Sequence, residues 1–379
     1  MLSIQQKRIR PSPAGRGGNR GVRRMKKAPS IIDIAKLAGV SATTVSRVFH
    51  GEGYVNRETR EAVLRVAREN SYKPRPYRKR IPVAAHDALV GIVVPDIENA
   101  FFQQIIRAMI DVFDQHGIET VICDINEDPA KEIRSLSLLR QLNINGIIIA
   151  PASENAEYNC DFLKELHEKG TPVIMLDRDV KGIGLSGVFQ NSYDGAFNAV
   201  NMLIQRGHER IAIVGGPITS KPGLDRMVGY MDALKAHGIA VRQEYILYGD
   251  FKVKSGYNLT QQLLEQHPKV TAVFSANNLM SVGALRAIRD RGMNIPDDIA
   301  FLSYGSLDPY DLNPSSNISE LVEPTELMGY ESAHLMLEKL SARKKKDFHI
   351  AKRVSFDTTL VLRGSEAFPV NRRKAFDPI

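Results

Sequence analysis

Hydroxyl and guanidinium side chains are concentrated in residues 41–47, where they could hydrogen-bond to a nucleic acid. Apolar residues occupy positions 42, 45, 48 and 49, which share one face of a helix. This pattern leaves four polar side chains free to point at a DNA groove, namely Thr43, Thr44, Ser46 and Arg47. An arginine can hold guanine through two parallel hydrogen bonds, and a threonine can reach a base edge or a thymine methyl. The segment therefore has side chains suited to reading bases.

Three short helices must position these side chains. Apolar residues at positions 31, 34, 35 and 38 form one face of the first helix. Gly39 supplies the backbone freedom that ends this helix, and Ser41 can cap the second. A third helix is predicted to start after Asn56, with a buried stripe at positions 62, 63, 66 and 67. The tight turn indicates a helix-turn-helix, although three helices of an ordinary helical subdomain would give a similar pattern.

The residues AGVSATTVSR at positions 38–47 closely resemble the head-piece of the lactose-repressor family of bacterial transcription regulators. The resemblance implies that Ala42, Thr43 and Arg47 meet base edges. It leaves Ser41, Thr44 and Ser46 better suited to phosphate contacts, which position a protein without specifying a sequence. Thr44 could equally be a partly buried helix residue. The resemblance and the terminal position of the unit favour DNA binding over an ordinary helical subdomain.

Length and composition fit a soluble protein of two or three domains. The chain has 379 residues, of which 43% are hydrophobic and 25% charged. It contains no apolar run of the length that a membrane span needs, and no apolar segment follows the basic N-terminus as it would in a secretory signal. Cys123 and Cys160 are the only cysteines, which argues against a disulfide framework or a thiolate metal site. We therefore expect a cytoplasmic protein.

Positive charge is concentrated at the N-terminal end. Residues 1–81 contain 20 Lys/Arg and 5 Asp/Glu, whereas the remainder contains 31 and 38. A basic module on a mildly acidic body is typical of a nucleic-acid-binding protein. Residues 1–28 alone hold nine Lys/Arg and no acid, and we expect this tail to be disordered when free. It is either an arm that adds phosphate contacts or a solvated tail, which a start site placed too far upstream would also give.

Residues 72–87 form a basic connector that contains proline and departs from the family pattern. The family has Tyr-x-Pro-Asn-x-x-Ala-Arg-x-Leu, in which a hinge helix folds on DNA and its Leu wedges into the minor groove. The same spacing implies that Tyr72, Arg78 and Ile81 contact DNA here, with Ile81 as the wedge. However, Pro76 removes an amide donor and Arg78 replaces a small residue. An irregular linker that contacts only phosphates is the alternative.

Buried-type strands alternate with helix-length segments from Leu89 onward, which is typical of a doubly wound parallel α/β body. Two of the predicted helices span 102–116 and 195–206. The predicted strands are Val90–Pro95, Thr120–Cys123, Gly146–Ala150, Val173–Leu176, Ile211–Val214, Ile246–Tyr248, Ala272–Ser275 and Ile299–Ser303.

The resemblance to the lactose-repressor family extends from about Ser30 to about Leu362 and includes PDIENAFF at 95–102 and RMVGY at 226–230. It implies two similar α/β subdomains, as in a periplasmic sugar-binding protein, with three chain crossings and an effector cleft between them. Open α/β sheets bind ligands beyond the carboxyl ends of their strands, which agrees with such a cleft. The predicted organisation is a tail (1–28), a DNA-binding domain (29–71), a hinge or linker (72–87), an effector-binding and dimerisation domain (88–364) and a C-terminal tail (365–379). Within the effector domain, the first subdomain is about 88–190 plus 325–345 and the second about 191–322 plus 350–364.

Seven residues are implied as effector contacts by the same resemblance. Phe101, Phe102 and Phe251 occupy positions where the family stacks rings on its ligand, although each alone is more often a core residue. Three further residues occupy positions where the family hydrogen-bonds polar groups of its ligand. The last position, Gly305, is one where the family usually has an acid. These remaining residues are Asp177, Arg226, Asn277 and Gly305.

Two departures from the family remove negative charge from this cleft. The usual Gly-Phe-Asp-Asp appears as residues 303–306, Ser-Tyr-Gly-Ser, and the usual Asn-Asp as Asn277-Asn278. With Gly305 in place of Asp, we expect no nearby group to neutralise Arg226. A free guanidinium binds planar anions, so the sequence predicts an anionic effector such as a sugar acid or sugar phosphate. A degenerate pocket is the alternative.

These features predict a transcription regulator, a repressor of carbohydrate-related genes, that binds a palindromic operator as a homodimer under control of a small effector. A periplasmic ligand-binding protein would lack the basic head, and an effector-independent DNA binder would show no response to ligand. No catalytic constellation, cofactor motif or His pair with metal-ligand spacing is visible, so an enzyme is the least favoured class.

Overall fold

The computed structural model divides into two compact units, residues 1–79 and residues 80–379. The first unit contains α1 (Ile31–Leu37) and α2 (Arg57–Glu69), and Thr44, Val45 and Val48 are helical between them. The buried side chains of this head form one cluster: Ile34, Ala35, Val45, Val48, Val63 and Ala67. The structure describes residues 31–41, 44–45, 48, 56–70, 88–153, 157–308, 317–342 and 346–373.

The predicted turn at Gly39, the Ser41 cap and the start of the third helix after Asn56 are confirmed. Gly39 has φ of 66°, in the left-handed region that glycine adopts at little cost, and α1 ends just before it. The Ser41 hydroxyl accepts a hydrogen bond from the Thr44 amide at 3.0 Å, as an N-cap does. The Asn56 side chain caps α2 by accepting from the Thr59 amide at 2.8 Å.

The second unit contains two six-stranded sheets. The first comprises β1 (Ala88–Val94), β2 (Ile118–Asp124), β3 (Gly146–Ile149), β4 (Val173–Leu176), β5 (Gly187–Gln190) and β11 (Arg353–Phe356). The second comprises β6 (Ile211–Gly215), β7 (Ile246–Tyr248), β8 (Ala272–Ser275), β9 (Ala300–Tyr304), β10 (Ser319–Val322) and β12 (Thr359–Val361). The strand orders are β11-β5-β4-β3-β1-β2 and β12-β10-β9-β8-β6-β7, so equivalent strands occupy the same positions in the two sheets. Paired strands are parallel except β10 and β12, which are antiparallel and correct the all-parallel expectation.

Helices cover both faces of each sheet, as a doubly wound fold requires. Helices α3 (Ala100–Asp114) and α10 (Thr325–Ala342) pack on one face of the first sheet, and α4 (Pro129–Gln141) and α5 (Glu157–Glu168) pack on the other. On the second sheet, α6 (Ser192–Gln205) and α7 (Lys221–Ala236) cover one face, and α8 (Val253–Gln266) and α9 (Asn278–Asp290) cover the other. None of the described helices is long and apolar enough to cross a membrane. The described part of the chain also contains the short helix α11 (Val370–Arg373) and 3-10 turns at Gln243–Tyr245 and Lys346–His349.

The chain crosses between the two sheets three times, after β5, after β10 and between β11 and β12. The predicted last crossing, before residue 350, is wrong. Strand β11 pairs in parallel with β5, so residues 353–356 belong to the first subdomain and the chain crosses at 357–358. We therefore define the first subdomain as 88–190 plus 325–356 and the second as 191–324 plus 357–373.

The predicted tail boundary at residue 365 is also wrong. Ser365 and Glu366 are buried in the second subdomain. The Ser365 hydroxyl donates to the Phe301 carbonyl at 2.6 Å, and Glu366 accepts a hydrogen bond from the Ser319 hydroxyl. Asn371 donates its side-chain amide to Asp298 at 2.7 Å. Residues 365–371 are therefore an integral part of this subdomain.

Candidate effector cleft

Polar and aromatic side chains converge where the carboxyl ends of the two sheets face each other. Six of the seven predicted effector residues line one cavity there, and the exception, Gly305, adjoins it. The cavity volume is about 30 Å³, which is room for only one or two water molecules. A sugar-sized molecule could therefore enter only if the subdomains moved apart. The lining residues are Asp96, Asn99, Phe101, Phe102, Glu127, Asp177, Arg178, Pro222, Arg226, Phe251, Asn277, Asn278 and Glu323.

Arg226 is buried in α7 and its guanidinium has three partners. One nitrogen, Nη1, donates to the Ala276 carbonyl at 2.8 Å, and Nη2 lies 3.3 Å from Oε1 of Glu323. The guanidinium carbon stands 3.6 Å from the centre of the Tyr304 ring, a close cation–π contact. The expectation that no nearby group neutralises Arg226 is therefore wrong, because Glu323 supplies a carboxylate that Gly305 cannot.

Glu323 is the central acid of the cleft, and its side chain is 8% exposed. The Gln190 side-chain amide donates to Oε1 of Glu323 at 3.2 Å and to Oδ1 of Asp177 at 2.9 Å. Burial raises the pKa of Glu323 to about 7, and the Asp177 carboxylate acts in the same direction. Arg226 and Gln190 oppose that shift because they stabilise the ionised form.

The second guanidinium of the cavity, Arg178, is also paired. Its two terminal nitrogens lie 2.6 and 2.7 Å from the two carboxylate oxygens of Glu127, a bidentate geometry. Arg178 also stands over the Phe251 ring at 5.6 Å. Because Phe251 belongs to the second subdomain and Arg178 to the first, this contact crosses the cleft.

Polar side chains also join the subdomains directly. Lys252 Nζ lies 2.7 Å from Oδ2 of Asp96 and 3.2 Å from Oδ1 of Asn126. The Asn278 amide donates to Oδ1 of Asn99 at 3.0 Å. These contacts hold the cleft in a closed conformation.

Backbone strain is concentrated in the same place. Glu127, Asp177 and Phe251 have φ of 57°, 56° and 65°. Non-glycine residues in this region cost about 1–3 kcal/mol each, most for bulky side chains. Strained residues of this kind cluster at ligand sites, where the surrounding structure fixes the side chain.

Asn277 caps α9, since its side-chain oxygen accepts from the Met280 amide at 3.1 Å. That use leaves the amino group of Asn277 for a ligand. Phe101 and Phe102 pack edge to face at 4.9 Å and are also part of the apolar core of the first subdomain. Among the described residues, no group of three His, Cys, Asp or Glu is placed to hold a metal ion.

The structure describes two of the predicted DNA contacts, both in the head. Ser41 is exposed and Thr44 half-buried, and their hydroxyl oxygens are 2.9 Å apart. Both hydroxyls therefore have a structural role at the start of the helix between α1 and α2, whether or not they also contact phosphates. The other predicted contacts lie outside the described residues: Ala42, Thr43, Ser46, Arg47, Tyr72, Arg78 and Ile81.

Two family models match the chain. Residues 30–75 match the model described as bacterial regulatory proteins, lacI family. Residues 87–356, which are most of the chain, match the model described as periplasmic binding proteins and sugar binding domain of LacI family. The chain belongs to the LacI family.

Relatives extend over nearly the whole of this LacI-family chain. The HTH-type transcriptional repressor PurR of Klebsiella pneumoniae (strain 342) is 30% identical over 319 residues, which cover 83% of this chain and 92% of that protein. PurR of Pectobacterium carotovorum subsp. carotovorum (strain PC1) is 29% identical over 340 residues, covering 89% and 97%. The LacI-family chain is thus a DNA-binding transcriptional repressor rather than an enzyme.

Solved structures share its fold. The transcriptional regulator CelR in complex with cellobiose has a TM-score of 0.64 at 29% identity, with 89% of this chain and 99% of that chain covered. The lac repressor dimer bound to operator and the anti-inducer ONPF has a TM-score of 0.64 at 24% identity, with 90% and 100% covered. The second likeness is one of fold alone.

Sequence reasoning missed half of the cleft. It did not assign Asp96, Glu127 or Arg178, although Asp96 lies within the family motif at 95–102 and Arg178 directly follows Asp177. Neither did it assign Gln190 and Glu323, which end or follow strands that the periodicity did not reveal. Their positions along the chain could have identified them as cleft residues, because each lies at or just beyond the carboxyl end of a strand.

Proposed function

We propose that this LacI-family chain binds a palindromic operator as a homodimer and that a small carbohydrate in the cleft controls the affinity for DNA. The observation that carries the proposal is the convergence of aromatic, carboxylate and amide side chains at the carboxyl ends of two sheets in separate subdomains. Sites of this composition bind small polar molecules. Movement of one subdomain against the other then converts binding into a change of shape.

The head, residues 29–71, is the proposed reader of the operator. Its apolar cluster and its capped turn support a helix-turn-helix. Arg47 is proposed to read a guanine, and Ala42 and Thr43 to meet adjacent base edges. One such helix covers only a few base pairs, so a two-fold dimer is needed to read two half-sites about one turn apart.

Two further parts of the chain are proposed to add DNA contacts. The connector would order on the operator, with Tyr72 and Arg78 near the backbone and Ile81 wedged between base steps. The basic residues of the 1–28 tail would neutralise phosphates and so steepen the salt dependence of binding.

A carbohydrate is the favoured class of effector. Phe101 and Phe251 offer apolar ring surfaces on the two sides of the cleft, as the C–H face of a sugar requires. Asp177 and Glu323 offer acceptors for hydroxyl groups. The matched family model describes a sugar binding domain, and the structure of CelR, 29% identical to this chain, is a complex with cellobiose.

The coupling between the two ligands follows from the closed cleft. The cavity is smaller than a sugar, so binding must change the cross-cleft contacts of Lys252 and Asn278. Such a change alters the relative position of the subdomains and hence the spacing of two heads in a dimer. If the effector changes operator affinity by some factor, the operator must change effector affinity by the same factor.

Selection of bound sequences from random DNA tests the proposal, with glucose, ribose and cellobiose each added to parallel selections. We expect a palindromic motif whose recovery changes with at least one sugar. Arg47→Ala should relax the preference at one base position and cost about 1–3 kcal/mol. A motif without two-fold symmetry would overturn the dimeric reading, and recovery that no sugar alters would favour an effector-independent repressor.

A further inference from the structure

A single carboxylate faces Arg226 in the cleft, and its position explains the glycine at 305. Building on the proposed function, we propose that Glu323 determines the charge of the effector: it accepts hydrogen bonds from a neutral, hydroxyl-bearing ligand and excludes anions. This assigns to the cleft a class of ligand opposite to the one that the missing acid at 305 suggested.

The first support is steric. A Cβ atom built on Gly305 would lie 3.0 Å from Oε2 of Glu323 and 3.0 Å from Cβ of Asn278. An acidic side chain at 305 would therefore bring a second carboxylate against Glu323. Like charges at such a distance disfavour ionisation of both groups. The cleft accommodates one acid at this point, and it comes from the crossing after β10 rather than from the end of β9.

The second support is the hydrogen bonding of the two Glu323 oxygens. Oε1 is the atom to which both Gln190 and Arg226 donate. Oε2 accepts no hydrogen bond from the residues that the structure describes. A carboxylate oxygen can accept more than one hydrogen bond, so Oε2 is available to a ligand that donates.

The third support is an unsatisfied donor on Arg226. Its Nε is buried and has no hydrogen-bond partner among the described residues. Burying a donor without a partner is unfavourable, and a ligand oxygen that accepts from it would offset this cost. A hydroxyl group suits both sites because it can accept from a guanidinium and donate to a carboxylate.

Charge excludes the other class of ligand. A carboxylate or phosphate could accept from Arg226 but would have to sit beside Glu323 and Asp177, both of which line the cavity. The second guanidinium offers no free positive charge, because Arg178 is held bidentately by Glu127. An anion would therefore have to displace a carboxylate that is already in place.

The test is the melting temperature of the full-length protein with glucose, ribose and cellobiose as neutral probes and glucuronate as the anionic probe. The variants are Glu323→Gln and, as a matched control, Glu326→Gln, which alters an exposed glutamate on α10 outside the cavity. The wild type and the control should be stabilised by a neutral probe and not by glucuronate. Glu323→Gln should bind the neutral probe about tenfold or more weakly and gain a response to glucuronate.

A change of pH gives the same comparison without a substitution, should Glu323→Gln fail to fold. The charged or titratable groups that face Glu323 are Arg226, Asp177 and Tyr304. Because the pKa of Glu323 is raised to about 7, the wild type at pH 5.5 should begin to respond to glucuronate, which it should not do at pH 8.5.

The outcomes separate this inference from the proposed function. A neutral probe that stabilises wild type and Glu323→Gln equally would overturn the role of Glu323 and leave a carbohydrate effector intact. Stabilisation of the wild type by glucuronate at pH 8.5 would likewise overturn the role of Glu323 and leave a carbohydrate effector intact. If no probe stabilises the wild type at either pH, the carbohydrate effector is wrong and the selectivity assigned to Glu323 with it.

Discussion

Lys252 reaches from the second subdomain to the first, where its ammonium lies 2.7 Å from the buried carboxylate of Asp96. Lys252 directly follows Phe251, whose backbone is held in the left-handed region and whose ring faces Arg178. The strained turn therefore sets two cross-cleft contacts at once. Closure of the cleft depends on side chains of this turn as well as on the chain crossings.

Lys252→Met should open the cleft and reduce stability. Removing the ammonium leaves the Asp96 carboxylate buried without its cation, which costs about 1–3 kcal/mol of unfolding free energy. Urea unfolding and the radius of gyration from X-ray scattering measure the two effects. Lys254→Met, an exposed lysine two residues along, is the matched control and should change neither. A variant as stable and as compact as this control would show that the contact does not hold the cleft closed.

Ser41→Ala should destabilise the head by about 1 kcal/mol, because the Thr44 amide loses its cap. Asn56→Ala removes the cap of α2 and should have a similar cost. If Ser41 also meets a phosphate, Ser41→Ala should weaken operator binding more than Asn56→Ala at equal head stability. Thermal unfolding measures the stability of the head in the two variants, and operator titrations measure their affinity for DNA. Equal losses of affinity would mean that Ser41 acts only as a cap.

The eight predicted strands are confirmed to within two residues, because most of them are short buried apolar runs bounded by turn residues. The four strands next to the chain crossings were not predicted. Segments such as Ser319–Val322 mix polar and apolar residues, because the buried side chains of Ser319 and Glu320 pair with Glu366 and Arg363 inside the second subdomain. Gln190 and Glu323 belong to these crossings, which is why the sequence did not reveal the carboxylate opposite Arg226. Comparison with the family pattern showed that an acid is missing at 305. That Glu323 provides a carboxylate at the same place could be seen only in the folded structure.

The stability of the protein should fall in acid through His208. This side chain is fully buried, with Nδ1 3.0 Å from the Thr271 hydroxyl and Nε2 3.2 Å from the Glu366 carbonyl. Burial lowers the pKa of His208 to about 4, although hydrogen bonds to the backbone of residues 366 and 367 oppose the shift. The unfolded chain therefore binds a proton that the native protein does not, and native stability is lost as pH falls from about 6.5 to about 4.

Urea unfolding at pH 5 and pH 7.5 measures this effect. His208→Gln should lower stability at pH 7.5 yet reduce the loss between the two pH values, by about 1 kcal/mol or more. The exposed His237→Gln is the control and should keep the wild-type difference. Glu323 acts oppositely in this range, because its raised pKa adds stability that is lost as pH rises toward 7. An unchanged pH dependence in His208→Gln would mean that His208 is not the responsible group.

Gly305→Asp should be destabilising for two reasons that a double-mutant cycle can separate. Gly305 has φ of 92°, so any side chain there is strained by about 1–3 kcal/mol, and an acidic one also crowds Oε2 of Glu323. The strain is the same in the wild-type and Glu323→Gln backgrounds and cancels in the cycle. The charge repulsion does not cancel, so we expect Gly305→Asp to cost about 1 kcal/mol less in the Glu323→Gln background.

Gly305→Asn carries the same strain without the charge, and its cost should be equal in both backgrounds. Urea unfolding of the six proteins at pH 8.5, where Glu323 is ionised, gives the coupling energies. If the cost of Gly305→Asp is the same in the two backgrounds to within about 0.5 kcal/mol, the two positions do not compete for one carboxylate.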